Sequence, residues 1–278
     1  MLGTRGPFTR AALEVLLESG VGIAGLALPR ALPAGPPSRR LTQRRSLLDP
    51  GDAPALASGA GIRCWEIGRP GEEAGCPAPF EESGADLVCV ACFPWRLPAA
   101  WFERPRRGAV NLHPSLLPAW RGPAPLFWQL RAGAATGVTL HRIDAGLDTG
   151  PVVARQPVSL PDGIRTAAAE ARLASSGARL LAAALRSGRL AGETQDESAA
   201  TRQGWPGAAD RRVPTSWPAR RAFNFIRGAE RWGPFVIGAG ADSVPVSEAL
   251  GYQLDLPEAR PGERPLRFAD GWLRVTHG

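Results

Sequence analysis

An asparagine and a histidine stand two residues apart at the end of a short apolar run in the middle of the chain. Residues 109–113 (AVNLH) predict a strand, and the alternation of faces along a strand places Asn111 and His113 on the same side. Their side chains then stand about 7 Å apart, since a strand rises about 3.3 Å per residue. Pro114 cannot donate a ladder hydrogen bond, so the strand ends there. His113 therefore lies at a carboxyl strand end, where open α/β sheets place their ligands.

These two side chains suit acyl transfer to an amine. An amide N–H can stabilise a developing oxyanion, and an imidazole can accept the proton of the attacking nitrogen. Asp148 follows the next predicted strand and is a candidate to hold the His113 ring in the correct tautomer. On residue types alone, a purely structural Asn-x-His pair is an equal alternative. His141, inside that next strand, is interpreted as a packed histidine.

The elements around this segment alternate between helix and strand. Residues 9–18 predict an amphipathic helix, and residues 164–187 predict a long one with Gly177 as a weak point or a break. Buried strands separated by helices predict an α/β fold with a doubly wound, mostly parallel sheet. Strands are predicted at residues 21–28, 62–67, 86–92, 109–113, 137–143 and 152–158.

Composition shifts divide the chain into three parts. After the long helix, the chain turns polar and becomes short of large apolar residues, as a linker would. The block that follows contains strand-like pieces. The sequence therefore predicts a catalytic domain at residues 1–190, a linker at 191–212 and a small C-terminal β domain at 213–278.

Charge and composition exclude several classes of protein. The net charge is +7, and every basic side chain is an arginine because the sequence has no lysine, which excludes a Schiff-base lysine and a P-loop lysine. Arginine-only basicity fits either a GC-rich genome or an anionic partner such as RNA or a phosphorylated substrate. With no apolar run of membrane length and no secretory signal at its N-terminus, we expect a cytoplasmic protein that does not contact a membrane.

Two of the four cysteines form a C-x-x-C pair inside a predicted strand. Cys89 and Cys92 belong to the apolar run 87–93, and no second Cys/His pair with suitable spacing accompanies them. A zinc site needs two further ligands. The pair is therefore interpreted as buried free thiols, and no metal is expected.

Two motifs resemble the signature of the folate-dependent formyltransferases. They are NLHPSLLPAWRG at residues 111–122 and TGVTLHRIDAGLDTGPVV at residues 136–153, in the same order and at the same separation as in that family. The resemblance implies transfer of a formyl group from 10-formyltetrahydrofolate, with Asn111, His113 and Asp148 as the catalytic residues. It also implies that the S-L-L-P stretch contacts the folate. The residues of that stretch are Ser115, Leu116, Leu117 and Pro118.

Within the family, two features resemble the enzymes that formylate methionyl initiator tRNA. The stretch 29–54 is rich in proline and arginine and matches in position a basic loop that meets the tRNA acceptor end. Basic residues suit phosphate contacts, although a solvated loop without a partner is the alternative. Residues 213–228 resemble the opening of the C-terminal β-barrel domain of those enzymes. The arginines that the resemblance assigns to tRNA contact are Arg39, Arg40, Arg44 and Arg45.

The sequence also departs from the family pattern. Only Met1 and Leu2 precede Gly3-Thr4, where the family has a full apolar strand at the centre of its sheet, so we expect that strand to be lost or replaced, or the start to be misassigned. Residues 93–98 replace an aromatic-Gly pair beside the pterin pocket, and the C-terminal block is short. A divergent paralogue that formylates a small amine, such as an amino sugar nucleotide, is one alternative. A non-catalytic folate- or RNA-binding relative is another. In each case we expect a monomer.

Overall fold

A computed structural model describes residues 1–30, 51–72, 76–240, 243–258 and 260–276, and the backbone of residues 39–40. The chain forms two compact units. The first comprises Met1–Arg121, Gly137–Val158 and Glu170–Arg202, and the second comprises Gly122–Thr136, Ser159–Ala169 and Gln203–Gly278. The sequence-based boundaries at residues 190 and 212 stay a prediction. Among the described residues, no helix combines the length and the apolar character that crossing a membrane requires.

The first unit is built on an eight-stranded mixed sheet with the order β3-β4-β2-β1-β5-β6-β7-β8. Strands β4, β2, β1, β5 and β6 run parallel, and β3, β7 and β8 pair antiparallel to their neighbours. This arrangement confirms the predicted α/β fold with a mostly parallel centre. The strands are β1 (Leu2–Gly3), β2 (Leu26–Pro29), β3 (Arg39–Arg40), β4 (Cys64–Ile67), β5 (Val88–Ala91), β6 (Ala109–His113), β7 (Gly137–Arg142) and β8 (Val152–Pro157).

Helices flank the sheet, and the longest of them runs through the glycine at which a break was predicted. A Cβ on Gly177 would lie 2.9 Å from Val138 Cγ2 of β7, so the glycine lets the helix pack closely on the strand. Gly177 was predicted to be a weak point or a break, and the break is wrong, because close packing outweighs the low helix propensity of glycine. The helices of the first unit are α1 (Pro7–Glu18), α2 (Ala53–Gly59), α3 (Ala78–Glu82), α4 (Ala99–Phe102) and most of α6 (Thr166–Ser187). The helices α5 (Pro125–Ala132) and α7 (Ala219–Gly228) belong to the second unit.

The centre of the sheet holds a very short strand where a missing one was expected. Strand β1 pairs in parallel with both β2 and β5, with Leu2 opposite Ala27 on one side and Val90 on the other. Leu2 is 3% exposed, and the Met1 amino group donates a 2.7 Å hydrogen bond to the Gly25 carbonyl. Two residues thus keep the central position, so among the expected alternatives (a lost strand, a replaced strand or a misassigned start) the loss of the strand is wrong.

The C-x-x-C pair is not two buried thiols. Strand β5 ends at Ala91, and the next residue, Cys92, is exposed with a φ of 63°. Cys89 is buried in β5, and burial raises the pKa of its thiol to about 11. The prediction for Cys92 is wrong because the left-handed backbone turns the chain away from the sheet directly after the strand.

The second unit packs two helices against two small sheets. One sheet has the order β11-β10-β9 and the other the antiparallel order β12-β14-β13. Their core contains Phe127, Phe225 and Phe235, whose neighbouring ring centroids lie 5.1 Å apart. This confirms a small C-terminal β region. Its strands are β9 (Arg212–Val213), β10 (Phe235–Ile237), β11 (Val244–Val246), β12 (Glu248–Gln253), β13 (Glu263–Arg267) and β14 (Trp272–Thr276).

Candidate active site

Strand β6 carries Asn111 and His113 and occupies the predicted residues 109–113. Its antiparallel partner β7 places His141 directly opposite Asn111, and Thr139 directly opposite His113. Cross-strand pairs of this kind bring side chains on one face within contact distance. The register therefore adds a second imidazole to the pair that the sequence singled out.

The loop after β7 brings a carboxylate to both imidazoles. Asp148 Oδ1 lies 3.5 Å from His113 Nδ1 and 3.7 Å from His141 Nε2. The side chains of His113, His141 and Asp148 are only 4%, 2% and 9% exposed. The structure thus brings together the predicted Asn111, His113 and Asp148. Sequence reasoning missed His141, because nothing in the local pattern fixes which residue of β7 faces Asn111.

The second ring nitrogen of His113, Nε2, is hydrogen-bonded to the backbone. Nε2 lies 3.0 Å from the carbonyl oxygen of Trp120. A carbonyl only accepts hydrogen bonds, so Nε2 carries hydrogen and Nδ1 is the nitrogen that can take up a proton. Nδ1 faces Asp148, where a positive charge on the ring is stabilised by the carboxylate.

Asp148 sits in a tight loop whose backbone is fixed by side chains. Its φ is 57°, an uncommon conformation for a residue other than glycine. Asp144 Oδ1 accepts hydrogen bonds from Gly146 N at 3.0 Å and Thr149 Oγ1 at 2.7 Å. A Cβ on Gly150 would lie 2.0 Å from the Arg142 carbonyl oxygen, so only glycine fits there. Several independent contacts therefore fix the loop backbone. Such support is needed to keep Asp148 in a sparsely populated backbone conformation.

Gln195, from the segment interpreted as a linker, clamps the same loop. Its Nε2 donates to the carbonyl oxygens of Asp148 at 2.9 Å and Gly150 at 2.8 Å. Its Oε1 accepts from the guanidinium of Arg121, which is fully buried and also donates to both carboxylate oxygens of Glu197. Part of the predicted linker therefore supports the candidate site.

The S-L-L-P stretch is held by Thr139 of β7. The Thr139 hydroxyl donates to the Ser115 carbonyl at 2.7 Å and accepts from the Leu117 amide at 3.0 Å. Ser115 and Leu117 are fully buried. None of the four residues from Ser115 to Pro118 lines the cavity described next, and their contact with folate stays a prediction.

Asn111, His113, His141 and Asp148 form a polar cluster. Asn111 and Asp148 also line a cavity of about 100 Å³. Its walls combine aromatic and aliphatic side chains with four polar side chains besides Arg96. The Arg96 guanidinium reaches across to the Ala145 carbonyl oxygen. A larger cavity of about 930 Å³ opens at the amino ends of the parallel strands and is lined by none of the three predicted catalytic residues. The remaining residues that line the smaller cavity are Val90, Phe93, Trp95, Leu97, His141, Ile143, Asp144, Gly146 and Leu147.

The cluster also offers three potential metal ligands. One ligand atom each from His113, His141 and Asp148 lie within 4.8 Å of one another. However, Asn111 Nδ2 lies 3.1 Å from His141 Nε2 and engages the lone pair that a metal needs. The described residues therefore fit a hydrogen-bonded cluster better than a metal site, and the expectation of no metal stays a prediction.

The arginines assigned to tRNA contact lie partly outside the described residues. Arg39 and Arg40 form β3, which pairs with β4 at the edge of the sheet. Arg44 and Arg45 lie outside the described residues. Arg30, in the same stretch, forms a 3.2 Å ion pair with Glu72.

Comparison with known proteins shows the family to which the chain belongs. A family model described as "Formyl transferase" matches residues 73–185, which include Asn111, His113 and Asp148. The chain is 36% identical over 223 residues to methionyl-tRNA formyltransferase of Dinoroseobacter shibae, covering 80% of this chain and 72% of that protein. It is 33% identical over 258 residues to the same enzyme of Ruegeria pomeroyi, covering 92% and 82%.

A solved structure shows the same fold at low sequence identity. Methionyl-tRNA formyltransferase from Clostridium thermocellum superposes with a TM-score of 0.57 at 15% identity, over 100% of this chain and 98% of that one. At this identity the likeness concerns the fold alone. The two sequence relatives carry the family assignment.

Proposed function

Since the chain belongs to the formyltransferase family, as a folate-dependent formyltransferase similar to the methionyl-tRNA enzymes, we propose that it formylates the amino group of methionyl initiator tRNA from 10-formyltetrahydrofolate. One observation carries the proposal. Asn111 and Asp148 line one cavity, and His113 Nδ1 lies 3.5 Å from Asp148 Oδ1. An amide donor, an imidazole and a carboxylate held together in this way suit direct acyl transfer to an amine.

The chemistry of the cavity walls suits a flat heteroaromatic ring, although the cavity as it stands is too small to hold one. Phe93, Trp95 and Leu97 supply apolar surface, while Asn111 and Asp144 supply polar groups at the edge. Pockets that bind small ligands usually measure several hundred Å³, so the loop with Arg96 has to move for a folate ring to enter. Bound 10-formyltetrahydrofolate supplies the formyl carbon.

Three side chains have separate roles in the transfer. Asn111 Nδ2 donates to the formyl oxygen as it gains negative charge while the amine nitrogen bonds to the formyl carbon. His113 accepts the proton that the amine loses and returns one to the folate nitrogen when its bond to the formyl carbon breaks. Asp148 orients the His113 ring and stabilises its positive charge. The products are the N-formyl amine and tetrahydrofolate.

The direct test uses purified protein, 10-formyltetrahydrofolate and charged methionyl initiator tRNA. We expect formyl-methionyl-tRNA to accumulate above the no-enzyme control. An amino sugar nucleotide in place of the tRNA provides the competing acceptor. Transfer to the sugar and not to the tRNA would reject the tRNA proposal while keeping formyl transfer, and transfer to neither would reject both.

Replacing Arg39, Arg40, Arg44 and Arg45 together by alanine should weaken the use of tRNA. If each arginine meets one phosphate, the slope of log affinity against log salt becomes shallower by about one per contact, up to about four. The measurement is the KM for charged tRNA at several salt concentrations.

The matched control removes four arginines elsewhere on the first unit. Arg172, Arg179, Arg186 and Arg189 are exposed, and replacing them lowers the net charge by the same amount, from +7 to +3 (7 − 4 = 3). We expect the control to keep most of the salt dependence. Equal effects in both variants would mean that total charge matters and that the 29–54 stretch has no special role.

A further inference from the structure

His141 lies where it can control the Asn111 side chain. The two residues form a cross-strand pair between β6 and β7, and Asn111 Nδ2 lies 3.1 Å from His141 Nε2. On its other side, His141 Nδ1 lies 2.7 Å from the Arg142 carbonyl oxygen. The ring is 2% exposed. Both of its nitrogens are therefore held in hydrogen bonds inside the protein.

These two contacts determine which nitrogen carries the hydrogen. The Arg142 carbonyl can only accept, so His141 Nδ1 must donate to it. A neutral ring then presents a lone pair at Nε2, which accepts from the amide NH₂ of Asn111. Turning the Asn111 amide by half a rotation would place its oxygen 3.1 Å from that lone pair, and two acceptors would oppose each other. The neutral His141 ring thus permits one amide orientation only.

This orientation is the one that formyl transfer needs. The Asn111 Nδ2 carries two N–H groups, of which His141 receives one, and Asn111 and His141 line the same cavity. We infer that His141 is a positioning residue for formyl transfer, which holds the Asn111 amide nitrogen toward the oxygen that gains charge. The inference rests on the proposed function. In the opposite orientation Asn111 would present an acceptor to a developing anion.

The surroundings of His141 keep its ring neutral. Burial, and secondly the neighbouring His113, lower the pKa of His141 to about 4, although Asp148, the Arg142 carbonyl and Asp144 act in the opposite direction. Protonation would place an N–H against the Asn111 NH₂ group and remove the acceptor. The low pKa therefore keeps His141 able to accept from Asn111 across the neutral pH range.

Two substitutions separate positioning from packing. His141→Gln keeps a carbonyl oxygen near the place of Nε2, whereas His141→Leu has a similar volume and no acceptor. We expect His141→Leu to lower kcat by up to about 100-fold with little change in the KM for the formyl donor, because misplacing a reacting group affects the transition state. His141→Gln should recover most of this loss. Equal losses in both variants would overturn the inference.

A double variant tests whether His141 acts through Asn111. If it does, Asn111→Ala combined with His141→Leu should be no slower than Asn111→Ala alone. Losses that multiply would show that His141 acts independently, and the inference would be wrong. Thermal unfolding of each variant shows whether the protein remains folded.

A spectroscopic measurement decides the geometry without any substrate. In the wild-type protein labelled with ¹⁵N, we expect His141 to carry its proton on Nδ1 and not to titrate between about pH 8 and about pH 5. The Asn111 side-chain NH₂ signals should shift in His141→Leu. A proton on Nε2 at neutral pH would overturn the inference even in an active enzyme. A protein with the expected tautomer that transfers no formyl group would instead reject the proposed function, and with it the role of His141.

Discussion

Replacing His113 with alanine should lower the rate of formyl transfer by about 10²- to 10⁴-fold, the range typical of removing a general acid–base group. His113 Nδ1 is the ring nitrogen that can take up a proton, and Asp148 stands 3.5 Å from it. Asp148→Asn should lower the rate as well, because an amide no longer stabilises a positive ring. Initial rates at saturating formyl donor and acceptor measure both effects.

A second substitution at the same position separates chemistry from packing. His113 is 3% exposed, so alanine also leaves a cavity. His113→Gln fills more of the space, and its amide can still donate to the Trp120 carbonyl, but it has no nitrogen that takes up a proton at neutral pH. Both variants should still bind the formyl donor. Substantial transfer by His113→Gln would show that His113 is not the base.

Strand β6 shows what the sequence alone could predict. The run 109–113 is apolar except for Asn111 and His113, and Pro114 ends it, so its bounds and the shared face of the pair followed from local rules. The fold class followed similarly from buried strands that alternate with helices. These features are local, or depend on patterns that repeat along the chain.

His141 and Cys92 show what local patterns could not predict. The contact of His141 with Asn111 depends on the register between β6 and β7, because a shift by two residues would pair His141 with His113 instead. Cys92 belongs to an apolar run, yet a φ of 63° turns it out of the sheet. Both outcomes are set by tertiary packing and strand pairing, which act over distances that a sequence window does not cover.

The segment around Gln195 shows how a polar composition can mislead. Residues 191–212 are polar, with Trp205 as their one large apolar side chain, and were interpreted as a linker. In the structure, Gln195 is 7% exposed, and its hydrogen bonds reach Asp148, Gly150 and Arg121. A polar residue can be buried when each of its polar atoms has a partner. Such partners come from distant parts of the chain, so composition alone does not reveal them.

Replacing Gln195 with leucine should destabilise the protein by about 3 kcal/mol, because buried polar groups left without partners cost about 1–3 kcal/mol each. The change removes two donors from the carbonyls of Asp148 and Gly150 and the acceptor of the buried Arg121 guanidinium. Urea-induced unfolding measures the loss. Gln156→Leu, on an exposed position of β8, is the matched control and should change stability little.

Gln195→Glu separates support of the loop from support of Arg121. A carboxylate still accepts from the Arg121 guanidinium, but it can no longer donate to the carbonyls of Asp148 and Gly150. We therefore expect a smaller loss of stability than in Gln195→Leu, together with a similar loss of kcat, because both variants release the loop that holds Asp148 at a φ of 57°. If both variants kept wild-type kcat while Gln195→Leu unfolded more easily, Gln195 would stabilise the fold without positioning Asp148. The segment around it would then be structural only.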